Sequence, residues 1–271
     1  MNYNAVIKLV YDARKIALDK GLGQDVSIKD ENDYVTAVDT GISDFIKAGL
    51  KQIAPNSAFV TEEESEHSFA QDRFILDPID GTVNLVRGYN KSSISLAHYV
   101  GGEIVFGAVY DPHTCELFFA LKGRGAHLFD ARFGIKKLLE IGVENYTGGK
   151  LSVSSEPPQN AIVEFGAGST NKSAAKESFA VAQEVFLNCR DLRRICSTAL
   201  SICYVASGRI EGYFERKIKC WDYAAGALIL QEAGGKISQW NGEKLTFGEP
   251  STIVAGNPKT HEYLLGIVKG K

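Results

Sequence analysis

Three apolar residues, Phe74-Ile75-Leu76, run straight into Asp77-Pro78-Ile79-Asp80-Gly81-Thr82, and no other stretch constrains the fold as much. The apolar run reads as the end of a buried strand, and a proline, a glycine and two aspartates then turn the chain. The turn carries Asp77 and Asp80 to one place, with Thr82 just beyond. Asn84-Leu85-Val86 follows, so the Gly81 and Thr82 amides open a helical turn, a setting that suits an anion. Carboxylates beside an anion repel it unless hard divalent cations take oxygen ligands from both. On their own these six residues serve equally well as a plain turn, with Asp at its start and Gly where φ is positive.

The rest of the chain supplies the context. Its 271 residues are 44% hydrophobic, enough for a large core in one domain or two coupled ones. A formal net charge of -3 gives no footprint for direct nucleic-acid binding. No apolar run reaches the roughly 18 residues that span a bilayer. Met1-Asn2-Tyr3-Asn4 lacks the basic-then-apolar start of a secretory signal, so a cytoplasmic protein away from membranes is expected. Cys115, Cys189, Cys196, Cys203 and Cys220 form no C-x-x-C pair and read as reduced, small apolar residues.

In chain order, residues 3–20 read as an amphipathic helix stopped by Gly21 and Gly23. Ser27 to Asp33 is charged enough for a hairpin or lid, and Asp39 suits the cap of a helix through Ile42, Phe45, Ile46 and Leu50. Ala58-Phe59-Val60 is a short strand that empties into Thr61-Glu62-Glu63-Glu64. A solvated acidic loop explains that run, yet open α/β sheets also present ligands at strand ends. Residues 94–100, 103–110, 116–121 and 125–129 read as an antiparallel meander. His98, His113 and His127, single residues along it, read as packed or surface polar groups. Beyond a polar boundary at Tyr146–Lys150, strands are expected at 152–155, 161–166, 212–215 and 252–255. Helices are expected at 173–187, from an opening at Cys196-Ser197-Thr198-Ala199 through Leu200 to Ala206, from Tyr223 to Ala233 with Asp222 as N-cap, and from Pro258 to Val268.

Four separated motifs, in order, resemble the inositol monophosphatase family of magnesium-dependent, lithium-sensitive phosphatases. They are Val35-Thr36-Ala37-Val38-Asp39; Phe59-Val60-Thr61-Glu62-Glu63; Asp77 to Thr82 followed by Asn84; and Trp221-Asp222 with Ala225-Gly226 and Glu232-Ala233-Gly234-Gly235. The resemblance implies an α/β layered fold, the αβαβα sandwich shared with fructose bisphosphatases. An N-terminal α+β half over 1–147 would carry Glu62 and the Asp77–Thr82 site. A C-terminal α/β half over 148–271 would carry Asp222 and the substrate pocket.

The resemblance also implies two to three magnesium ions. Glu62, Asp77 and the Ile79 carbonyl would hold one. Asp77 would bridge to a second shared with Asp80 and Asp222, and a third would lean on Glu62 through water. Glu62 is preferred to Glu63 as the ligand because it comes first after the strand. Thr82, paired with Asp39, would orient the attacking water, and the Gly81 and Thr82 amides would hold the phosphate. Glu215 would bind substrate hydroxyls in a pocket lined by Ser197, Thr198 and Ala199. Ser197 stands where a glycine is common in animal members, and Lys29 resembles a lysine near the metal lid. A homodimer is implied as well.

Elementary electrostatics agrees with these roles. Close carboxylates repel by about 4 kcal/mol per pair at an effective dielectric near 20, so such a cluster needs cations. The expected reaction is magnesium-dependent hydrolysis of inositol monophosphate or a related small polyol or sugar phosphate. The same chemistry on fructose bisphosphate, histidinol phosphate or a 3′-phosphonucleotide is an alternative. A regulatory, protein-binding role in transcription or ribosome biogenesis is another.

Overall fold

The computed structural model describes residues 1–19, 21–22, 26–30, 33–63, 70–168, 172–248 and 250–269. Five layers alternate helix and sheet. Outermost lie α1 (Tyr3–Asp12), α2 (Arg14–Ala17) and α3 (Ala37–Ile53). They cover a six-stranded sheet made of β3 (Ala58–Thr61), β4 (Asp72–Asp80), β5 (Ser93–Val100), β6 (Glu103–Asp111), β7 (Glu116–Leu121) and β8 (Ala126–Asp130), in that spatial order. Strands β3 and β4 pair parallel, and the rest form the antiparallel meander read from the sequence. The middle layer is α7 (Thr198–Ala206) and α8 (Cys220–Glu232). Next comes a second sheet of β9 (Ile162–Phe165), β10 (Asp191–Arg193), β11 (Gly212–Ile218), β12 (Lys236–Ser238) and β13 (Ser251–Gly256), ordered β10-β9-β11-β13-β12. Helices α6 (Ala175–Asn188) and α9 (Pro258–Val268) close the far side. This is the αβαβα arrangement expected from the sequence.

Alternation along the strands builds the two inner interfaces. Phe74, Leu76, Ile94, Leu96 and Phe119 face Val6, Ile7, Val10, Ile42 and Ile46 of the first helical layer. Their neighbours Ile75, Ala97, Val109 and Phe118 face α7 and α8. Successive strand residues point to opposite faces, so a sheet covered on both sides needs apolar residues at every position. Helix α8 shows the same logic: Cys220, Trp221 and every residue from Tyr223 to Leu230 are buried, as befits a helix held between two sheets. The outer core joins Val163, Phe165, Phe214 and Val254 to Val181, Val185, Leu264 and Val268. Residues 142–157, where the boundary between halves was placed, hold no helix or strand beyond a single bridge from Lys150 to His127.

Several local expectations change. The first helix breaks at Ala13 and ends at Ala17 rather than running to 20. Gly23 and Glu64 lie outside the described residues, as does the side chain of Lys29. The charged segment forms an antiparallel hairpin of β1 (Val26–Asp30) and β2 (Asp33–Thr36). Residues 152–155 form no strand: the Val153 amide donates to the Ala233 carbonyl and the segment runs over the end of α8. Helix α5 (Lys136–Ile141) and strand β10 were not anticipated. All five cysteines are free, as read from the sequence. The three histidines are hydrogen-bonded. His98 sits 3.0 Å from both the Tyr3 hydroxyl and Asp72, His113 meets Ser92, and His127 meets the Gly148 carbonyl.

Candidate active site

The Asp77-Pro78-Ile79-Asp80 segment is not a free turn. Strand β4 continues through it to Asp80, with its register against β5 slipping between Asp77 and Asp80. Such a bulge re-aims side chains without ending the strand. Here it lets Asp77 and Asp80, three residues apart, reach one point. Gly81 then adopts φ 96, and α4 (Thr82–Val86) begins. A Cβ at 81 would lie 2.8 Å from the Lys91 carbonyl oxygen, so glycine is required for space as well as conformation. The Asn84 amide donates to the carbonyls of Lys91 and Ile195, at 2.7 Å each, stapling this segment to the chain that enters α7.

Asp222 arrives from the opposite layer. It was read as the N-cap of its helix, but α8 starts at Cys220 and Asp222 is its third residue. Its Oδ2 accepts from the Lys219 backbone amide at 3.0 Å. The carboxylates of Asp77, Asp80 and Asp222 each bring an oxygen within 4.8 Å of the others. Asp77 is 1% exposed, and its Oδ1 has no hydrogen-bond partner among the described residues. A buried acceptor without a donor is costly. Burial, and then the charges of Glu62, Asp80 and Asp222, hold Asp77 far above the usual carboxylate range. Asp222 is raised likewise by burial, then by Asp80 and Glu62. Glu62 therefore acts on both of these carboxylates but does not belong to the three-carboxylate cluster, while the charge of Glu63 is felt at Asp39. Three converging oxygen ligands with an unmet acceptor fit a hard divalent cation.

Asp80 is differently placed from the other two. Its Oδ2 accepts from Ser197 Oγ at 2.6 Å and the Ala199 amide at 2.7 Å, and its Oδ1 from the Thr198 amide at 3.1 Å. It thus caps α7, and these bonds restrain the effect of burial, leaving its pKa pushed up to about 6. Ser197 and Ala199, expected to line the substrate pocket, are 1% and 0% exposed and turn toward Asp80. Thr198 Oγ1 instead reaches Glu215 Oε2 at 3.0 Å, an oxygen that also accepts from the Tyr213 hydroxyl. Burial raises Glu215 despite these bonds. A Cβ at Gly166 would fall 2.0 Å from the Glu215 carboxyl carbon, so only glycine leaves room for this acid. The left-handed residue of this loop is Cys196, φ 58, one position before the Ser197 that was matched to a glycine.

Asp39, read as a cap, is the third residue of α3; Thr36 is the cap. Asp39 Oδ2 accepts from the Thr36 amide at 2.8 Å and the Thr36 hydroxyl at 2.5 Å. Thr82 Oγ1 lies 3.1 Å from Asp39 Oδ1 and 3.1 Å from the Ile79 carbonyl. One hydroxyl proton serves one acceptor at a time, so when Asp39 takes it the Ile79 carbonyl is left open. Sequence reasoning did not single out Tyr213 or Gly166. Tyr213 could have been found as the residue two before Glu215 on the same face of one strand, whereas Gly166 neighbours Glu215 only across paired strands.

Comparison with known proteins is consistent with this geometry. The model of the inositol monophosphatase family matches residues 2–270. The chain is 34% identical over 247 residues to a "Nus factor SuhB" of Pasteurella multocida, covering 90% of this chain and 85% of that one. It is 33% identical over 261 residues to an "Inositol-1-monophosphatase" of Mesorhizobium japonicum, covering 94% and 91%. The crystal structure of the extragenic suppressor protein SuhB from Bartonella henselae superposes with a TM-score of 0.85 at 28% identity, over 98% of each chain. No described helix is long and apolar enough to cross a membrane. The chain belongs to the inositol monophosphatase family.

Proposed function

We infer that this chain is a magnesium-dependent phosphomonoesterase acting on inositol monophosphate or a related small polyol or sugar phosphate. The observation that carries the reading is the meeting of Asp77, Asp80 and Asp222, with Asp77 Oδ1 buried and unpartnered. Asp77, Asp80 and Asp222, with Glu62 and the Ile79 carbonyl, would hold the magnesium. Bound there, two such ions supply the positive charge that activates an attacking water and offsets charge on the leaving oxygen. Thr82 Oγ1 directs its own proton to Asp39, so its lone pairs are free to accept from the water and orient it. Asp39, raised above the usual carboxylate range by burial, is a base able to receive that water's proton through Thr82. Gly81 and Thr82 present amides to the phosphate, and Glu215 accepts from substrate hydroxyls alongside Thr198. No covalent nucleophile is needed, because phosphoryl transfer calls mainly for positioning and neutralisation.

The test is phosphate release from a panel of inositol, sugar and nucleotide phosphates, with and without magnesium. Turnover of polyol phosphates that vanishes on chelation, and again in Asp80→Asn, supports the reading. A panel with no turnover at all sinks it. A second reading, a non-catalytic binding role, is favoured by the name "Nus factor SuhB" borne by a relative as similar as the named phosphatase. A cellular phenotype that survives Asp80→Asn while phosphate release is lost would assign that phenotype to binding.

A further inference from the structure

The two oxygens of Glu215 are held very unequally. Oε2 takes the Tyr213 hydroxyl at 2.5 Å and Thr198 Oγ1 at 3.0 Å. Among the described residues, Oε1 has one long contact, 3.4 Å from the Gly168 amide. Tyr213 and Thr198 also bond to each other, their hydroxyl oxygens 2.9 Å apart. Each hydroxyl has a single proton to give. With the Tyr213 proton on Oε2, the Thr198 proton goes either to the same oxygen or to the Tyr213 oxygen, and in both cases Oε2 is engaged. The lone pairs of Oε1 are the ones left for a ligand.

The three residues are rigidly mounted. Tyr213 is 3% exposed, and β11 sets it level with Glu164 of β9 on one side and Ala255 of β13 on the other. Glu215, two residues on, projects from the same face of that strand. Thr198 lies in the first turn of α7, where its amide donates to Asp80 Oδ1. The carboxyl itself lies against the backbone of Gly166, where a Cβ would fall 2.2 Å from Oε1 and 2.3 Å from Oε2. A glutamate carboxyl ordinarily turns about its last bond over a broad range. Here the Tyr213 hydroxyl selects one orientation.

We propose that Tyr213 is a positioning residue for the reaction: its hydroxyl fixes Glu215 so that Oε1 alone meets the substrate, and the site thereby selects phosphates that carry a hydroxyl placed at that one oxygen. The inference rests on the phosphatase reading above, in which Glu215 accepts from substrate hydroxyls. Buried as it is, Tyr213 acts through Glu215 rather than on the substrate. Without its hydroxyl the carboxyl keeps only the Thr198 bond and samples other orientations, so binding has to order it again. A phosphate ester that offers no hydroxyl makes no call on Glu215 and is indifferent to that disorder. A Tyr213 that merely packed α7 on the sheet would affect every substrate alike, because the same helix start holds Asp80.

The test compares wild type, Tyr213→Phe, Glu215→Ala and the double variant on inositol 1-phosphate and on phenyl phosphate, with magnesium present. Tyr213→Phe keeps the ring, and it should raise the KM for inositol 1-phosphate about tenfold with kcat little changed, the scale of one hydrogen bond to a charged group. Phenyl phosphate should lose far less. In the Glu215→Ala background the same substitution should add nothing, because residues that act through one another are not additive. Thr198→Val, which removes the other hydroxyl, should show the same split between substrates. Equal losses on both substrates, no change on either, or an effect of Tyr213→Phe that adds in full to that of Glu215→Ala overturns the proposal while leaving the phosphatase reading intact. A wild type that releases phosphate from neither substrate overturns both.

Discussion

Two helices in different layers begin alike and put the likeness to opposite uses. In α3 and in α8 the third residue is an aspartate that accepts from the backbone amide of the residue preceding the helix, Thr36 in one case and Lys219 in the other. Asp39 is then fully engaged: Thr36 holds one oxygen and Thr82 the other. Asp222 has a single such bond and faces two more carboxylates. A negative charge in the first turn of a helix is favourable in both settings. What differs is whether the remaining lone pairs meet donors or other acids. On the proposed function, the first arrangement would make a structural acid with a proton-accepting task, and the second a ligand for a cation.

Substitution at the two positions breaks this comparison most sharply. Asp222→Asn should lower kcat/KM by on the order of a thousandfold and raise the magnesium needed for half-maximal activity, because it removes a ligand and a charge from the cluster. Measured without metal, the same variant should unfold at a higher denaturant midpoint, by on the order of 1 kcal/mol, because a buried like charge is gone. Asp39→Asn should lower kcat by roughly a hundredfold or more, as expected for loss of a positioned base. Its denaturant midpoint should fall, since three accepted hydrogen bonds are disturbed. Stability changes of the same sign in both variants would remove the distinction.

The pH dependence of the metal-free protein sharpens it further. The Asp80 carboxyl holds its proton to about pH 6 when folded, against an ordinary value of 3.8. A folded state that binds the proton more tightly gains stability below the unfolded pKa and loses it as pH rises through the folded one. The Tm without metal should therefore fall between about pH 4 and pH 6, and magnesium should restore more at pH 7.5 than at pH 4.5. Calorimetry across that range checks both points; a metal-free Tm that climbs steadily with pH would contradict them.

The smallest expected effect is local. Thr36→Ala removes the cap hydroxyl that meets Asp39 and should cost about 1 kcal/mol in denaturant unfolding. Its effect on magnesium titration should be nil, whereas the Asp222 change acts there first.

Much of this architecture could be read from the residues, and the failures share a cause. The meander from Ser93 to Asp130 was legible because alternation and glycine punctuation are local signals. Asp77 and Asp80 were legible as site candidates from their local turn pattern, whereas Asp222 read locally as an N-cap and became a candidate only through the family resemblance. The start of α8 was read three residues late, because Cys220, Trp221 and Asp222 are modest helix formers that burial between two sheets overrides. The bulge at Asp77–Asp80 looked like a turn because proline and glycine mark both. The capture of Asp80 by Ser197, Thr198 and Ala199 joins positions more than a hundred residues apart, and no local pattern announces it.

The hollow beside Glu215 limits how this pocket can be altered. Position 166 has no room for even one methyl group while a carboxyl of this length stands opposite. Enlarging 166 alone forces the acid out of its hydrogen bonds to Thr198 and Tyr213, and shortening 215 alone leaves a void lined by their two hydroxyls. Retuning the pocket for a different sugar is thus a two-site exchange, in which volume removed at 215 is returned at 166 in the same step.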